Sequence, residues 1–419
     1  MTAGWLVLVE SNTTGSGRLF CAAARQLGLR PVLLARNPGR YPYAAADSIE
    51  TRVTDTTDVT AVLTACTRLG GPVAGVTSSS EYFITVAAEA ARALGLPHAD
   101  PDAVRACRDK STQRARLAAA GVPSPAYAAV ASPAAAVAAA CRVGLPCVVK
   151  PVTGSGSVGV RLCLTAAEVA VAAATVLGHG EPVRSLPPQD AVLVEAYAGG
   201  PEYSVELLHG TPVGVTRKHL GPEPYFVETG HDFPAPLPDG DRERLERTAV
   251  AALTALGLGW GAAHVELRLP PAGPVLIEVN PRLAGGMIPQ LISAAHGTDV
   301  IAQLVAAAAG RPGPAGPGRN AAAAIRFLVA KEPGRLAEIS GGTAARAVHG
   351  VIDVQLTRAP GTEIGPPRSF SDRLGYVIAA AATTSAAARA ADDGLRALTI
   401  LTAGAAGRPG ELLSTEQCS

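Results

Sequence analysis

Aromatic residues are scarce in this chain, at 4%, and the charges nearly cancel, with a formal net charge of +1 over 419 residues. That balance argues against the broad positive field by which proteins collect nucleic acid. Long hydrophobic runs are lacking as well. The longest apolar stretches, residues 165–177 and 377–391, carry Glu168 or Arg389 and are too short or too polar to cross a bilayer. The opening run Trp5-Leu-Val-Leu-Val9 has no basic flank and continues into Glu10, so it reads as a first strand and not as a signal peptide. Paired cysteines are missing: seven cysteines stand singly, without a CxxC pair or a histidine cluster. They read as buried thiols in a reducing compartment, not as a disulfide or zinc framework. A soluble, cytoplasmic protein with no membrane and no nucleic-acid partner is expected. What the chain does have is alanine and valine, which supply much of its 48% apolar content, and enough length for two or three domains with sizeable cores.

Residues 4–105 alternate apolar runs with helical Ala/Leu patterns. Strands are expected at 5–9, 31–34 and 73–76, and helices at 17–27, 57–69 and 80–94. This βαβαβα order implies an open parallel sheet. A helix over 112–120 follows Asp109-Lys110 and ends at Gly121 and Pro123. The style then becomes α+β. Short strands at 147–150, 160–164, 192–195, 203–208 and 211–216 are separated by glycine turns and one Ala-rich helix, before a helix at 241–256. The expected division is an N-terminal α/β domain (1–105), a central domain (106–310, with a lid at about 123–197), a Pro/Gly linker (311–319) and a C-terminal α+β domain (320–419) with a final helix at 385–398. The tail after Gly407 is expected to be disordered.

The segment richest in chemistry is His264-Val-Glu266 … Glu278-Val-Asn280-Pro-Arg282. The intervening Leu269-Pro-Pro-Ala-Gly-Pro274 is a turn sequence. If residues 265–269 and 275–279 form an antiparallel hairpin, Glu266 lies opposite Glu278 and His264 opposite Asn280. Alternation then puts these four side chains on one face, and Val265, Leu267, Ile277 and Val279 on the other. Opposed residues sit about 5 Å apart, where like charges repel. A bridging divalent cation removes that repulsion, and two carboxylates with an Asn amide suit Mg²⁺.

Lys150 ends an apolar strand and precedes Gly154-Ser-Gly-Ser-Val-Gly159. These letters match the dinucleotide fingerprint, but that motif must open a helix. Here an apolar strand-like run follows, so the glycines make a hairpin loop. Its free backbone N–H groups and the Ser155 and Ser157 hydroxyls can fold over phosphates. Further on, Glu195-Ala-Tyr197 ends an apolar strand, and Glu202 follows seven residues after Glu195. Backbone at such a strand end can read an adenine edge, and a carboxylate can hold ribose hydroxyls.

Taken in order, Asp109-Lys110, Val149-Lys150-Pro151 with its glycine loop, Glu195-x-Tyr197, Gly200-Pro-Glu202-Tyr-Ser-Val-Glu206 and Glu266 … Glu278-x-Asn280-Pro-Arg282 resemble the ATP-grasp superfamily of carboxylate–amine ligases. The likeness is greatest to the L-amino-acid ligase (dipeptide synthetase) group, through Thr77-Ser-Ser-Ser-Glu81, Glu228-Thr-Gly-His231-Asp-Phe-Pro, Asn280-Pro-Arg282-Leu-Ala-Gly285-Gly286 and Ser371-Asp-Arg-Leu-Gly-Tyr-Val377. The resemblance implies an ATP-grasp fold, α/β and α+β in class. An N-terminal open parallel sheet would precede a central ATP-binding part and a C-terminal cap. It implies that Lys110 and Lys150 contact ATP phosphates, with Ser155 and Ser157 in the closing loop. Glu195, Ala196 and Tyr197 would border adenine, and Glu202 the ribose. Glu266, Glu278 and Asn280 would bind two Mg²⁺ ions, with Mn²⁺ as an alternative. Arg282 would meet the transferred phosphoryl group, and Glu81, Glu228 and His231 would line the amino-acid pocket. Glu228 or His231 would be the base. Lys218 is a weaker candidate for a phosphate contact, and His264 would act through its neighbours. Related ligases can carry a bulky ring after Gly285. Gly286 here implies a pocket open to a larger donor. The implied activity is ATP-dependent amide formation between two amino acids, α- or γ-linked, in an enzyme that by analogy is a homodimer. A D-alanine–D-alanine-type ligase, a carboxylase-type enzyme and a non-catalytic nucleotide-binding protein remain open at this point.

Overall fold

A computed structural model describes residues 4–12, 16–154, 156–178 and 190–403. Ser155 and the tail after Gly407 lie outside the described residues. The N-terminal part runs β1 (Trp5–Val9), α1 (Ser16–Gln26), β2 (Arg30–Ala35), α2 (Pro42–Ala46), β3 (Glu50–Val53), α3 (Val59–Thr67), β4 (Val73–Thr77) and α4 (Ile84–Ala93). Its strands are all parallel, in the order β3-β2-β1-β4. The expected open sheet is present. β3 was not anticipated, because Glu50-Thr-Arg-Val53 is a polar, half-exposed edge strand with no apolar run to announce it.

Two helices, α5 (Pro101–Arg108) and α6 (Lys110–Ala119), lead into the centre. The Asp100 and Asp109 carboxylates accept backbone N–H groups of their first turns, satisfying donors that have no partner within the helix. With Asp109 as cap, α6 starts at Lys110, two residues before the expected 112.

The next unit comprises β5 (Tyr127–Val130), α7 (Pro133–Val143), β6 (Cys147–Pro151), β7 (Arg161–Cys163), α8 (Ala166–Gly178) and β8 (Val192–Ala196). These strands form an antiparallel sheet, β5-β8-β6-β7, packed against two Ala-rich helices where one was expected. The glycine loop joins β6 to β7 as a hairpin, with Cys147 opposite Cys163, so the dinucleotide reading is excluded by the strand that follows.

The third unit contains β9 (Glu202–Leu208), β10 (Thr211–Leu220), β11 (Glu228–Phe233), α9 (Asp239–Leu256), β12 (Ala262–Arg268), β13 (Val275–Asn280), α10 (Ile288–His296) and α11 (Val300–Ala308). The C-terminal part adds β14 (Ala322–Val329), β15 (Gly334–Ser340), α12 (Gly342–Ala347), β16 (Val351–Leu356), β17 (Glu363–Ile364), β18 (Arg373–Ala381), α13 (Thr384–Arg396) and β19 (Thr399–Ala403). One sheet of eight strands, β13-β12-β9-β10-β11-β14-β18-β16, runs through both regions among the described residues. β11 pairs with β14 directly, Gly230 opposite Arg326, so the segments before and after the 311–319 linker share one sheet. Helices α5, α6 and α9 cover one face through Val205, Val215, Val265, Val279 and Leu253. The opposite face is left for polar side chains. Among the described residues no single helix is long and apolar enough to cross a membrane; only α10 and α11, bent by 108°, pass that test together.

Candidate active site

The hairpin β12–β13 has the register expected from the sequence: Glu266 opposite Glu278, and His264 opposite Asn280. It departs from expectation one residue later. Leu267 pairs with Leu276, not with Ile277. A bulge of this kind inserts one residue and shifts the alternation beyond it. Leu276 therefore enters the core, and Ile277, expected there, lines the cleft. On the other side β9 sets Glu206 against His264, Ser204 against Glu266 and Glu202 against Arg268, and β10 sets Lys218 against Glu202. Four neighbouring strands thus present one continuous polar face.

Between this face and the β5–β8 sheet lies a cleft of about 870 Å³, counting space open to solvent. Lys110, Lys150, Ser157, Glu195, Ala196, Tyr197, Glu202, Glu266 and Glu278 all line it, with Lys218, Glu228, Phe226 and Arg268. Asn280 is buried at the hairpin end, on the same face.

The charges are closely matched. Lys110 Nζ lies 2.8 Å from Glu278 Oε1 and donates to the Gly154 carbonyl at 2.9 Å. Burial opposes its charge, but Glu278 and Glu81 outweigh that and raise its pKa. Lys218 Nζ meets three carboxylates, Glu266 at 2.7 Å, Glu228 at 2.8 Å and Glu202 at 3.0 Å. They raise its pKa well above the ordinary lysine value despite burial. Burial likewise opposes the Glu266 charge, yet Lys218 and His264 hold its pKa far below the usual carboxylate range. His264 bridges Glu206 at 2.8 Å and Glu266 at 3.0 Å; burial is overruled by Glu206, and its pKa rises to about 9. Each opposed carboxylate of the hairpin thus has an ammonium against it. The pair demands cationic charge, and its oxygen-only donors fit Mg²⁺.

Glu195 is placed differently from its expected part at adenine. Its two oxygens are taken by Arg114 Nε and Lys150 Nζ, each at 2.6 Å. The carboxylate is thereby committed inside the protein, while the adjoining Ala196 and Tyr197 line the cleft. Burial, aided by Arg114, lowers the pKa of Lys150 although Glu195 opposes it.

Beyond the hairpin, the Arg282 guanidinium grips Glu81 Oε2 through Nη2 at 2.6 Å and Nε at 3.0 Å. Glu228 is fixed between Lys218 and Arg373, whose Nη2 is 2.5 Å away. His231 is fully buried, 3.8 Å from Glu228, with its ring edge-on to Phe327 at 5.4 Å. Neither of its ring nitrogens has a hydrogen-bond partner. Burial pushes its pKa down to about 3. Gly285 and Gly286 follow Arg282. Gly286 has φ +58°, and a Cβ there would come within 2.5 Å of His231 Nε2. Glycine at 286 is therefore favoured by its backbone and demanded by the His231 ring, which fills the space above it. The open donor pocket expected at this position is not found there.

Three stretches of the chain match known families: residues 21–98 the ATP-grasp N-terminal domain, 143–290 the ATP-grasp domain, and 326–403 the L-amino acid ligase C-terminal domain 2. The protein y4rH of Sinorhizobium fredii, described as uncharacterized, is 41% identical over 378 residues, covering 90% of this chain and 78% of that protein. The chain belongs to the ATP-grasp family of carboxylate–amine ligases.

Other relatives of this ligase are matched over less of their length. An alanine–anticapsin ligase of Bacillus amyloliquefaciens is 32% identical over 263 residues, 56% of this chain and 53% of that protein. Carnosine synthase 1 of Gallus gallus is 35% identical over 219 residues, 49% of this chain and 23% of that protein. In fold, the ligase is similar to a solved L-amino acid ligase from Bacillus licheniformis, with a TM-score of 0.78 at 21% identity, over 96% of this chain and 100% of that one. Several site residues of the ligase escaped the sequence reading. Arg268 continues the alternation His264, Glu266, Arg268 and could have been found by extending it. Arg114 follows Lys110 by four positions, one helical turn, on the same face of α6. Phe226 arrives from a loop that no local pattern marks, and Arg373 lies within the Ser371–Val377 motif, which carried the resemblance without a role for the arginine.

Proposed function

We propose that the ligase joins two amino acids by an amide bond, with ATP as co-substrate and ADP and phosphate as products. The observation that carries this reading is the single cleft in which Lys110 and Lys150 face the opposed Glu266 and Glu278. A carboxylate is a poor electrophile, and phosphorylation converts it to an acyl-phosphate with a good leaving group. Phosphoryl transfer brings several negative charges together, so catalysis rests on positioning and on cationic charge. Lys110 and Lys150 serve the phosphates, with Ser157 in the covering loop. Backbone at Ala196 and Tyr197 borders the adenine, and Glu202 holds the ribose. Glu266, Glu278 and Asn280 hold two Mg²⁺ ions, which when bound neutralise phosphate charge. Arg282 receives the transferred phosphoryl group beside Glu81.

An amine then attacks the acyl-phosphate, through a tetrahedral oxyanion. Its ammonium form must first lose a proton. Glu228, with a pKa far below the usual range, and His231, at about 3, are weak proton acceptors in this arrangement. Glu228, which lines the cleft, is better described as orienting a substrate, with His231 packed behind it. The ammonium proton is lost to solvent before attack, and the departing phosphate takes the second proton as the tetrahedral oxyanion collapses. The product is an α- or γ-linked dipeptide, according to which carboxylate reaches Arg282.

The test is phosphate release over pairs of amino acids, with products identified by mass spectrometry. Glu278→Gln should remove most of the amino-acid-dependent release, by at least the roughly 10–100-fold that even indirect metal partners cost. Near-native turnover in that variant would overturn the metal assignment. No release with any pair would favour a binding protein.

A further inference from the structure

In the parallel N-terminal sheet, β1 leads to β2 on one side while β4 lies on the other, so the strand order reverses between β1 and β4. Open α/β sheets take ligands at such a point, outside the carboxyl ends of the strands, because the connections there diverge to opposite faces. A cavity of about 590 Å³, counting space open to solvent, occupies this place. Phe20 of α1, Ile84 and Ala88 of α4, and Leu304 of α11 line it, and Trp260 and Leu283 close the side toward the hairpin. Serines at the end of β4 also reach it, but their hydroxyls are engaged. Ser79 Oγ accepts from Asn12 N at 3.1 Å and meets Ser11 Oγ at 3.2 Å, and Ser78 Oγ accepts from Ser80 N at 3.0 Å. The wall is therefore mostly carbon, which favours an apolar occupant.

Arg282 also lines this cavity. It follows Asn280, the last residue of β13, by two positions, so the chain passes from the carboxylate hairpin directly to this cavity. Arg282 thus joins the end of the carboxylate hairpin to the apolar cavity, with its guanidinium on Glu81. With Glu81 it forms a pair whose charges mirror those of an amino acid: the guanidinium suits a carboxylate and Glu81 suits an ammonium.

Resting on the ligase reading above, we propose that this cavity receives the side chain of the carboxylate-donating amino acid and selects a donor whose side chain is bulky and apolar. The donor's carboxylate meets Arg282 on the side facing the phosphates, and its ammonium meets Glu81. The bulk of the donor is accommodated between α1 and α4, not above Gly286.

The experiment narrows the cavity from two separate elements, with Ala88→Leu on α4 and Ala99→Leu in the loop after it. Phosphate release is measured over Gly, Ala, Leu, Met and Phe as donors, and the melting temperature is recorded with each amino acid and ADP. Wild type should turn over, and be stabilised by, the larger apolar amino acids. In each variant that retains the wild-type melting temperature alone, kcat/KM for Leu, Met and Phe should fall by about tenfold or more, while Gly or Ala and the KM for ATP are unaffected. If no pair releases phosphate from wild type, the ligase reading fails and the melting arm still decides the cavity. Stabilisation by apolar amino acids that the substitutions abolish upholds it. Wild type indifferent to apolar amino acids in both assays, or folded variants with an unchanged profile, overturns it.

Discussion

Arg268 shows how much one buried side chain can organise. Its Nε donates to Glu202 Oε2 at 3.1 Å and its Nη1 to the Tyr197 hydroxyl at 3.2 Å, while the guanidinium lies 5.5 Å and 5.4 Å from the Tyr197 and Phe226 ring centroids. It joins the carboxylate proposed to hold the ribose with the aromatic residues beside β8. A desolvated cation–π contact contributes about 2 kcal/mol. Arg268→Met should therefore raise the KM for ATP by about tenfold and change kcat less. Steady-state kinetics in ATP would show this, and a fall in kcat alone would remove Arg268 from the nucleotide wall. Gly286 teaches the reverse lesson about single residues. A missing side chain suggested room for substrate, but the His231 ring occupies that room, and the left-handed φ of +58° gives glycine its own reason to be there.

The hairpin and α6 show what an element can and cannot announce. The pairing of Glu266 with Glu278 was legible because strand alternation and a Pro/Gly turn set the register locally. The bulge that turns Ile277 into the cleft was not, since its cause is packing of Leu276 against the helices behind the sheet. On α6, Lys110 reaches Glu278 and Arg114 reaches both Glu195 on β8 and the Ile277 carbonyl on β13, the latter through Nη2 at 2.5 Å. One helix face thereby ties the β5–β8 sheet to the β12–β13 hairpin. Removing one member of a buried ionic group is expensive, because the remaining charge loses its partner. Arg114→Met should cost about 3 kcal/mol in urea-induced unfolding. It should also raise the KM for ATP, because Glu195 then holds Lys150 without its second anchor. Arg114→Lys should recover part of the binding. A variant with native stability would show that the bridge is dispensable.

Across the whole molecule the eight-stranded sheet carries chemistry past the 311–319 linker. Arg373, at the start of β18, holds Glu228 at the mouth of β11 and stacks on Phe327 at 3.7 Å. His231 lies between them, uncharged. Its folded pKa of about 3 is below the ordinary 6.5, so the unfolded chain binds this proton first as the pH falls. The associated stability is complete above pH 6.5 and is lost as the pH drops toward 3. His209 and His296, with pKa values also lowered by burial, act in the same direction, so the contribution of His231 is read by difference. Between pH 6.5 and 5, wild type should lose about 1.5 kcal/mol more than His231→Gln. Denaturant titrations at the two pH values would measure this. Equal slopes would mean that His231 is already charged, or solvated, in the folded protein.

By itself, the sequence determined the alternating order of the N-terminal sheet apart from its polar edge strand, the glycine hairpin, the opposed carboxylates and the lysines beside them. Each of these depends on residues close in the chain, where periodicity, turn chemistry and capping act. The tertiary structure decided everything that needed distant partners. It committed Glu195 to Arg114 and Lys150, locked Arg282 to Glu81, filled the space over Gly286 and joined the C-terminal strands to the central sheet. Those outcomes depend on burial, which makes a charge seek its partner wherever the fold brings one, and burial is not a property of any local segment.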